Sequence, residues 1–382
     1  MPWNQPLSSI VEISNRGYQS GMQSGDVESA FMNFFNRVQA VYFSGKPLSA
    51  VIKDCESLVT LLDQYCVASV APVIRPTELL LQSLAGTKKQ PLAWAREVLM
   101  DTNLSSVDNS TVYVAIWSYL SAMQLAYLLG EYDLANELSC KLRKVMSADF
   151  GFFAPTNILF FTGLVATAMF RKAKRRTFRK QATTAAKALR ELMKGKGPLN
   201  ILHRCLILEA ELAAVSAKTE DTAVVKEKFD GAIRVAKRAG FLHDAALATE
   251  LAGIFHMQID DNISTSHYLT EAHGLYRSWG ARAKVDELET RRRHFIRSGE
   301  SIWGSSGMFT LETSGSREIV RAVKLHGSRQ HSVSRLLSTP SRENSEELIG
   351  RRSNVIRRSE LLVSGRSYEF SAEMENPIAE VS

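Results

Sequence analysis

The chain has 382 residues, 45% hydrophobic and 23% charged, with a formal net charge of +7. Its four cysteines, Cys55, Cys66, Cys140 and Cys205, include no CxxC pair, which excludes a cysteine-rich zinc module. No stretch is apolar over the ~20 residues that a membrane-spanning helix needs, and a chain this long divides into two or three globular domains unless it is an elongated repeat array.

Residues 1–24 are expected to be irregular and to end in GMQSG. MPWNQPLSSIVEIS lacks the basic and apolar regions of a secretory signal. Asp26 is placed to cap a helix, with Glu28 facing the positive end of its dipole. Phe31, Phe34, Phe35, Val38, Val41 and Tyr42 form its apolar stripe, and it stops near SGKP (44–47). The next helix starts at Leu48 and carries Cys55, Val59, Leu62 and Cys66 on one stripe, which makes both thiols core residues and points to a reducing, cytoplasmic compartment. Further helix starts are expected near Pro76, Pro91 and Val112. The last of these aligns Tyr113, Ile116, Leu120, Met123 and Tyr127 and ends at Gly130.

GEYDLA (130–135) is of the kind that opens the second half of a tetratricopeptide unit, and it leads into Leu134, Leu138, Leu142 and Val145. A helix over 156–170 follows; its apolar run ILFFTGLVATAMF has 13 residues, too few to span a membrane. Then come a basic, alanine-rich helix over 179–193, a breaker at 195–198, and helices near 200–216, 223–238, 243–258, 262–279 and 281–296. No window alternates β-branched residues, so the fold class is all-α. In YLTEAHGLYRSWGARAKVDELE (268–289), Tyr268, Ala272, Leu275, Tyr276 and Trp279 share one helical stripe. Gly280 turns the chain, and Ala281, Val285 and Leu288 open the next stripe. Tyr276, Trp279, Gly280 and Leu288 therefore read as a packing signature.

AEL (210–212) returns as TEL (249–251), 39 residues on, and Phe229, Ala232 and Gly240 return as Leu269, Ala272 and Gly280, 40 residues on. A hairpin cannot bury its face alone, so the repeat predicts an α-solenoid of antiparallel helical hairpins, a tetratricopeptide-like right-handed superhelix over 25–297. Residues 298–382 are Ser-rich and expected to be mostly disordered. Three R-x-x-S steps there end at Ser332, Ser338 and Ser345, candidate sites for basophilic kinases.

Motifs for chemistry are missing. SGKP fails as a P-loop, because Ala40 replaces the first glycine and Pro47 the magnesium-binding hydroxyl. There is no GxGxxG, HExxH or GxSxG, and Asp260–Asp261 opens no calcium loop. His243, His256 and His267 sit at helix edges without a carboxylate at ligand spacing. Glu209 and Glu250, which look equivalent by repeat, are read as inter-helix hydrogen-bonding groups. No catalytic residue, cofactor or metal is expected, and the chain is read as no enzyme. The densest basic run is RKAKRRTFRK, with Arg171, Lys172, Lys174, Arg175, Arg176, Arg179 and Lys180. It is either a solvated helix face or a patch for an anionic partner, with Arg234, Lys237 and Arg238 as possible extensions. RNA is one such partner, although Phe178 is the only aromatic in the run.

NILHRCLILEAELA (200–213), KFDGAIRVAKRAGF (228–241), DAALATELAGIF (244–255) and residues 268–289 occur in an order and spacing that resemble the tetratricopeptide-like helical-repeat region of large multi-domain signalling kinases. GDVESAFMNFFNRVQAVYFSGKPL (25–48) is similar to an earlier part of that region. Chains of this family join a serine/threonine-kinase-like domain and a predicted ATPase to the array, with GAF and histidine-kinase or cyclase domains after it. None of those flanking domains is recognisable here, so only the array's role carries over. The resemblance implies a scaffold for a protein partner, a peptide or a signalling domain, placed between input and output modules.

Overall fold

The computed structural model describes residues 6–105, 112–145, 154–193, 200–216 and 221–296. The chain separates into two units, Met1–Arg297 and Ser298–Ser382, and every described residue belongs to the first. Among the described residues there are fourteen α-helices and no strand.

The N-terminus departs from expectation. Leu7–Ser24 form α1, where an irregular segment was expected. Leu7, Ile10, Ser14 and Gly21 are its buried positions at helical spacing, with Val11 and Tyr18 packed beside them. The helix packs closely on the next one: the Tyr18 ring lies 5.4 Å from that of Phe34, and a Cβ on Gly21 would lie 2.9 Å from the Ala30 side chain. The partner α2, Val27–Phe43, starts as expected, with the Asp26 carboxylate accepting from the Ser29 N–H at 3.1 Å. Helix α3 is Leu48–Gln64. It buries Cys55 but ends before Cys66, which is exposed with a left-handed φ of 55°, so only one of the two thiols is a core residue. Helix α4, Ala71–Leu84, contains Pro76 rather than starting at it. Pro72 lies in the first turn, where no N–H is needed.

Then come α5 (Ala93–Met100), a 3-10 turn at Asn103–Ser105, and α6 (Val112–Leu128). From α6 onward the helices pair as hairpins: α6 with α7 (Tyr132–Val145), α8 (Ala154–Ala173) with α9 (Arg176–Met193), α10 (Leu202–Ser216) with α11 (Thr222–Arg238), and α12 (Leu242–Gln258) with α13 (Asn262–Trp279). Helix α14, Arg282–Arg292, opens a further unit. The first helices of successive hairpins also touch, α6 on α8, α8 on α10 and α10 on α12. This explains why α6 and α12 are buried almost all round, from Ala115 to Leu128 and from His243 to His256. Tyr113, in the first turn of α6, stays 48% exposed despite its place on the expected stripe.

Two contacts join the ends of the unit. Helix α14 packs on α4, where Arg282 lies against the Gly86 turn. Arg291 donates to the Leu129 and Gly130 carbonyls, at 3.4 Å each, and to Glu131 at 3.0 Å. In addition, the end of α2 is inserted among the later helices. Tyr42 packs beside His243 and Trp279, and the Gln124 amide donates to its hydroxyl. Phe43 lies 5.5 Å under the Arg204 guanidinium.

Trp279 is 1% exposed, and Tyr276 and Leu288 are fully buried. Gly280 is left-handed at φ 92°, and the Ala281 N–H reaches back to the Tyr276 carbonyl. Trp279→Ala is expected to cost ~3–5 kcal/mol in chemical denaturation, and an unchanged midpoint would contradict this packing. A second pair of variants isolates the α2–α3 turn. Gly45 and Gly25 have nearly equal φ, 75° and 78°, but a Cβ on Gly45 would lie 2.5 Å from the Leu242 nitrogen while nothing approaches one on Gly25. Gly25→Ala should cost only the left-handed penalty of ~1–2 kcal/mol, and Gly45→Ala clearly more.

Candidate functional site

Three carboxylates are buried among the described residues, Glu211, Asp244 and Glu250. An isolated buried charge is strongly disfavoured, so each must be matched. Glu211 accepts two bonds from Arg171 Nη2, at 3.0 and 2.9 Å. Asp244 accepts from Arg204 Nε at 2.8 Å and lies 2.7 Å from His203 Nε2. Glu250 accepts from Lys284 Nζ at 2.7 Å and from the Tyr276 hydroxyl at 2.9 Å. In two of the three the cation lies 40 residues from its carboxylate, which is the repeat length, so these bonds tie one hairpin to the next.

The Asp244 cluster is almost wholly enclosed, with the Arg204 and Asp244 side chains 5% and 2% exposed. Burial alone would raise the carboxyl's pKa, but the Arg204 guanidinium and the two neighbouring histidines outweigh it and hold the group well below the usual range. The ionised carboxylate has no proton to give, so His203 Nε2 carries the hydrogen of their bond. Arg204 also donates to the Asn157 amide and lies 5.1 Å over the Phe160 ring. The His203 ring stacks on Phe241 at 4.0 Å. His243 sits beside Tyr42 and Trp279, 3.5 Å from Asp244 Oδ1, and burial lowers its pKa to about 4. Burial likewise raises the Tyr42 pKa, so its hydroxyl stays protonated. The cluster thus joins α2, α6, α8, α10, α12 and α13 with neutral rings around one matched ion pair.

The expected equivalence of Glu209 and Glu250 is off by two positions. Glu211 occupies the place matching Glu250 and is buried, while Glu209 bonds Arg190 near the surface. Two of the three helix-edge histidines meet a carboxylate, His243 at 3.5 Å from Asp244 and His256 at 3.0 Å from Asp261. A signal was available: His203–Arg204 and His243–Asp244 lie 40 residues apart, each in the first turn of its helix.

The basic run divides. Arg171 points inward to Glu211 and is 18% exposed, so it leaves the surface set. Lys172 is paired with Asp133. Lys174, Arg175, Arg176, Arg179 and Lys180 are exposed around the α8–α9 turn and form no ion pair among the described residues. Lys174, with a left-handed φ of 55°, lies over the Phe170 ring. Ser332, Ser338 and Ser345 lie outside the described residues.

A second basic surface lies between α11 and α13, as a groove of about 620 Å³. Ile233 and Tyr268 form its floor, with Ile263, 86% exposed, at its edge. Lys226, Arg234 and Arg238 line it without an ion pair among the described residues, whereas Lys237 pairs with Glu271 and Asp230 accepts from the Tyr268 hydroxyl at 2.6 Å.

No three His, Cys, Asp or Glu side chains among the described residues are grouped as a metal site requires. No described helix is long and apolar enough to cross a membrane. No family model matches the chain, and no curated protein matches it. The likeness to the signalling-kinase array therefore rests on its own residues alone.

The Asp244 cluster sets a pH dependence. The folded protein keeps His243 neutral down to about pH 4, whereas the unfolded chain takes up that proton near pH 6.5. Stability is then fully present above pH 6.5 and falls as the pH drops from 6.5 towards 4, by up to ~1.4 kcal/mol per pH unit for this group. Denaturation of the wild type and His243→Gln across that range should give a shallower slope in the variant; equal slopes would contradict the burial. Asp244→Asn leaves Arg204 unmatched and is expected to cost ~3–5 kcal/mol.

Proposed function

We propose that the chain is a non-catalytic helical-repeat scaffold, a tetratricopeptide-like solenoid of hairpins that holds a protein partner in signal transduction. The α11–α13 groove carries this reading. It sets a solvent-facing isoleucine among unpaired cations on helices that are anchored from behind by buried ion pairs. Exposed apolar surface rimmed by polar groups is what a protein interface offers. The inner side of the hairpins, where such arrays often hold a ligand, is filled by Tyr42 and Phe43, so docking falls to the outer helices. The kinase-array resemblance supports the same role, and the buried titratable groups act to hold the hairpins together.

RNA binding is the second reading, favoured by the five exposed cations from Lys174 to Lys180. Backbone binding of that kind weakens steeply with salt.

Photo-crosslinking in the native cell separates the two. A reactive side chain at His267, exposed in the groove, should yield a protein adduct of defined mass that survives nuclease. One at Thr177, in the cationic turn, should not. A nuclease-sensitive adduct at position 177, with none at 267, would overturn the scaffold in favour of RNA.

A further inference from the structure

Resting on the scaffold reading, we infer that the α11–α13 groove takes an acidic, amphipathic helix of a partner protein. The lining fixes the ligand's dimensions. From Lys226 to Arg238 the α11 face runs about 18 Å, the length of a helix of ~12 residues. Helices α11 and α13 flank the groove side by side, and Asp230 meets Tyr268 as Lys237 meets Glu271, so the two run in the same direction. A third helix seats between two such neighbours by the helix-in-groove mode.

Charge selects its chemistry. Arg234 and Arg238 are one helical turn apart, about 6 Å along α11, and both are exposed and free of ion pairs among the described residues. Two carboxylates at i and i+4 on a partner helix match that spacing, and bidentate guanidinium–carboxylate pairing rewards it. Apolar side chains on the same face of that helix would cover Ile263 and reach Ile233.

The same lining disfavours a nucleic acid. Of its two aromatic rings, Tyr268 is 6% exposed and held by Asp230, so only the His267 ring is open to a base. Ile233 and Ile263 offer a phosphate nothing.

A displayed library of random 12-residue peptides, selected on the intact chain, tests this. The expected outcome is enrichment of Glu and Asp in i, i+4 pairs with apolar residues between them. A labelled peptide from the selected pool should bind at least about tenfold more weakly to Arg234→Glu/Arg238→Glu and to Ile263→Asp, and equally well to Arg175→Glu/Arg176→Glu. All these side chains are exposed, and Arg234→Gln/Arg238→Gln provides a milder pair should charge reversal lower the melting temperature. No acidic enrichment, unchanged binding to the groove variants, or displacement of the peptide by a U-rich oligonucleotide would overturn the inference. A protein adduct at position 267 alongside any of those results would leave the scaffold standing and remove only the acidic helix.

Discussion

Taking a carboxylate out of water costs several kcal/mol, and this protein does so at Glu211, Asp244 and Glu250. Each is tolerated because a cation on a different helix arrives at bonding distance: Arg171, Arg204 and Lys284. An apolar stripe lets two helices slide against each other at small cost. A matched buried charge does not, because a shift of one turn leaves two ions unmatched in a low-dielectric interior. These bonds therefore fix the register in which successive hairpins stack, and the position of every outer helix follows from it. The α11–α13 groove exists because α10 and α12, behind it, are locked.

The Asp244 cluster adds a second role to the same chemistry. Tyr42 and Phe43 come from the other end of the sequence, yet they lie against His243, Trp279 and Arg204. A guanidinium presents a flat, weakly hydrated face, so Arg204 can satisfy Asp244 along its edge and cover Phe43 and Phe160 with its plane. A lysine would supply the charge without the surface. The neutral state of His243 completes the arrangement, since a second cation beside Arg204 would have only one carboxylate to share.

Much of the fold was legible in the amino-acid order because it is written in apolar spacing. The α2 cap at Asp26, the α6–α7 turn at Gly130 and the hairpin through Trp279 and Gly280 all announce themselves locally. What escaped depends on close approach or on distance. Helix α1 alternates its apolar stripe of Leu7, Ile10 and Tyr18 with serines and glycines, and Ser14 and Gly21 are buried where its close approach to α2 leaves no room for larger side chains. Cys66 fits the α3 stripe but lies just beyond the last turn. Arg171 looks like part of a surface run, and only its partner 40 residues on turns it inward. The groove was half visible: Arg234 and Arg238 stand out as basic residues, but Ile263 joins them only once α13 is laid beside α11.

The contact of α14 with α4, and of Arg291 with the α6–α7 turn, has a consequence for how such a chain can change over evolutionary time. Linear arrays lengthen or shorten by duplication, since an added hairpin needs only one new neighbour. Here a duplicated hairpin would push Arg282 away from Gly86 and withdraw Trp279 from Tyr42 in one stroke. Its number of units is pinned by geometry, so diversification is channelled into the outward faces, where residues can be exchanged without reopening the seam.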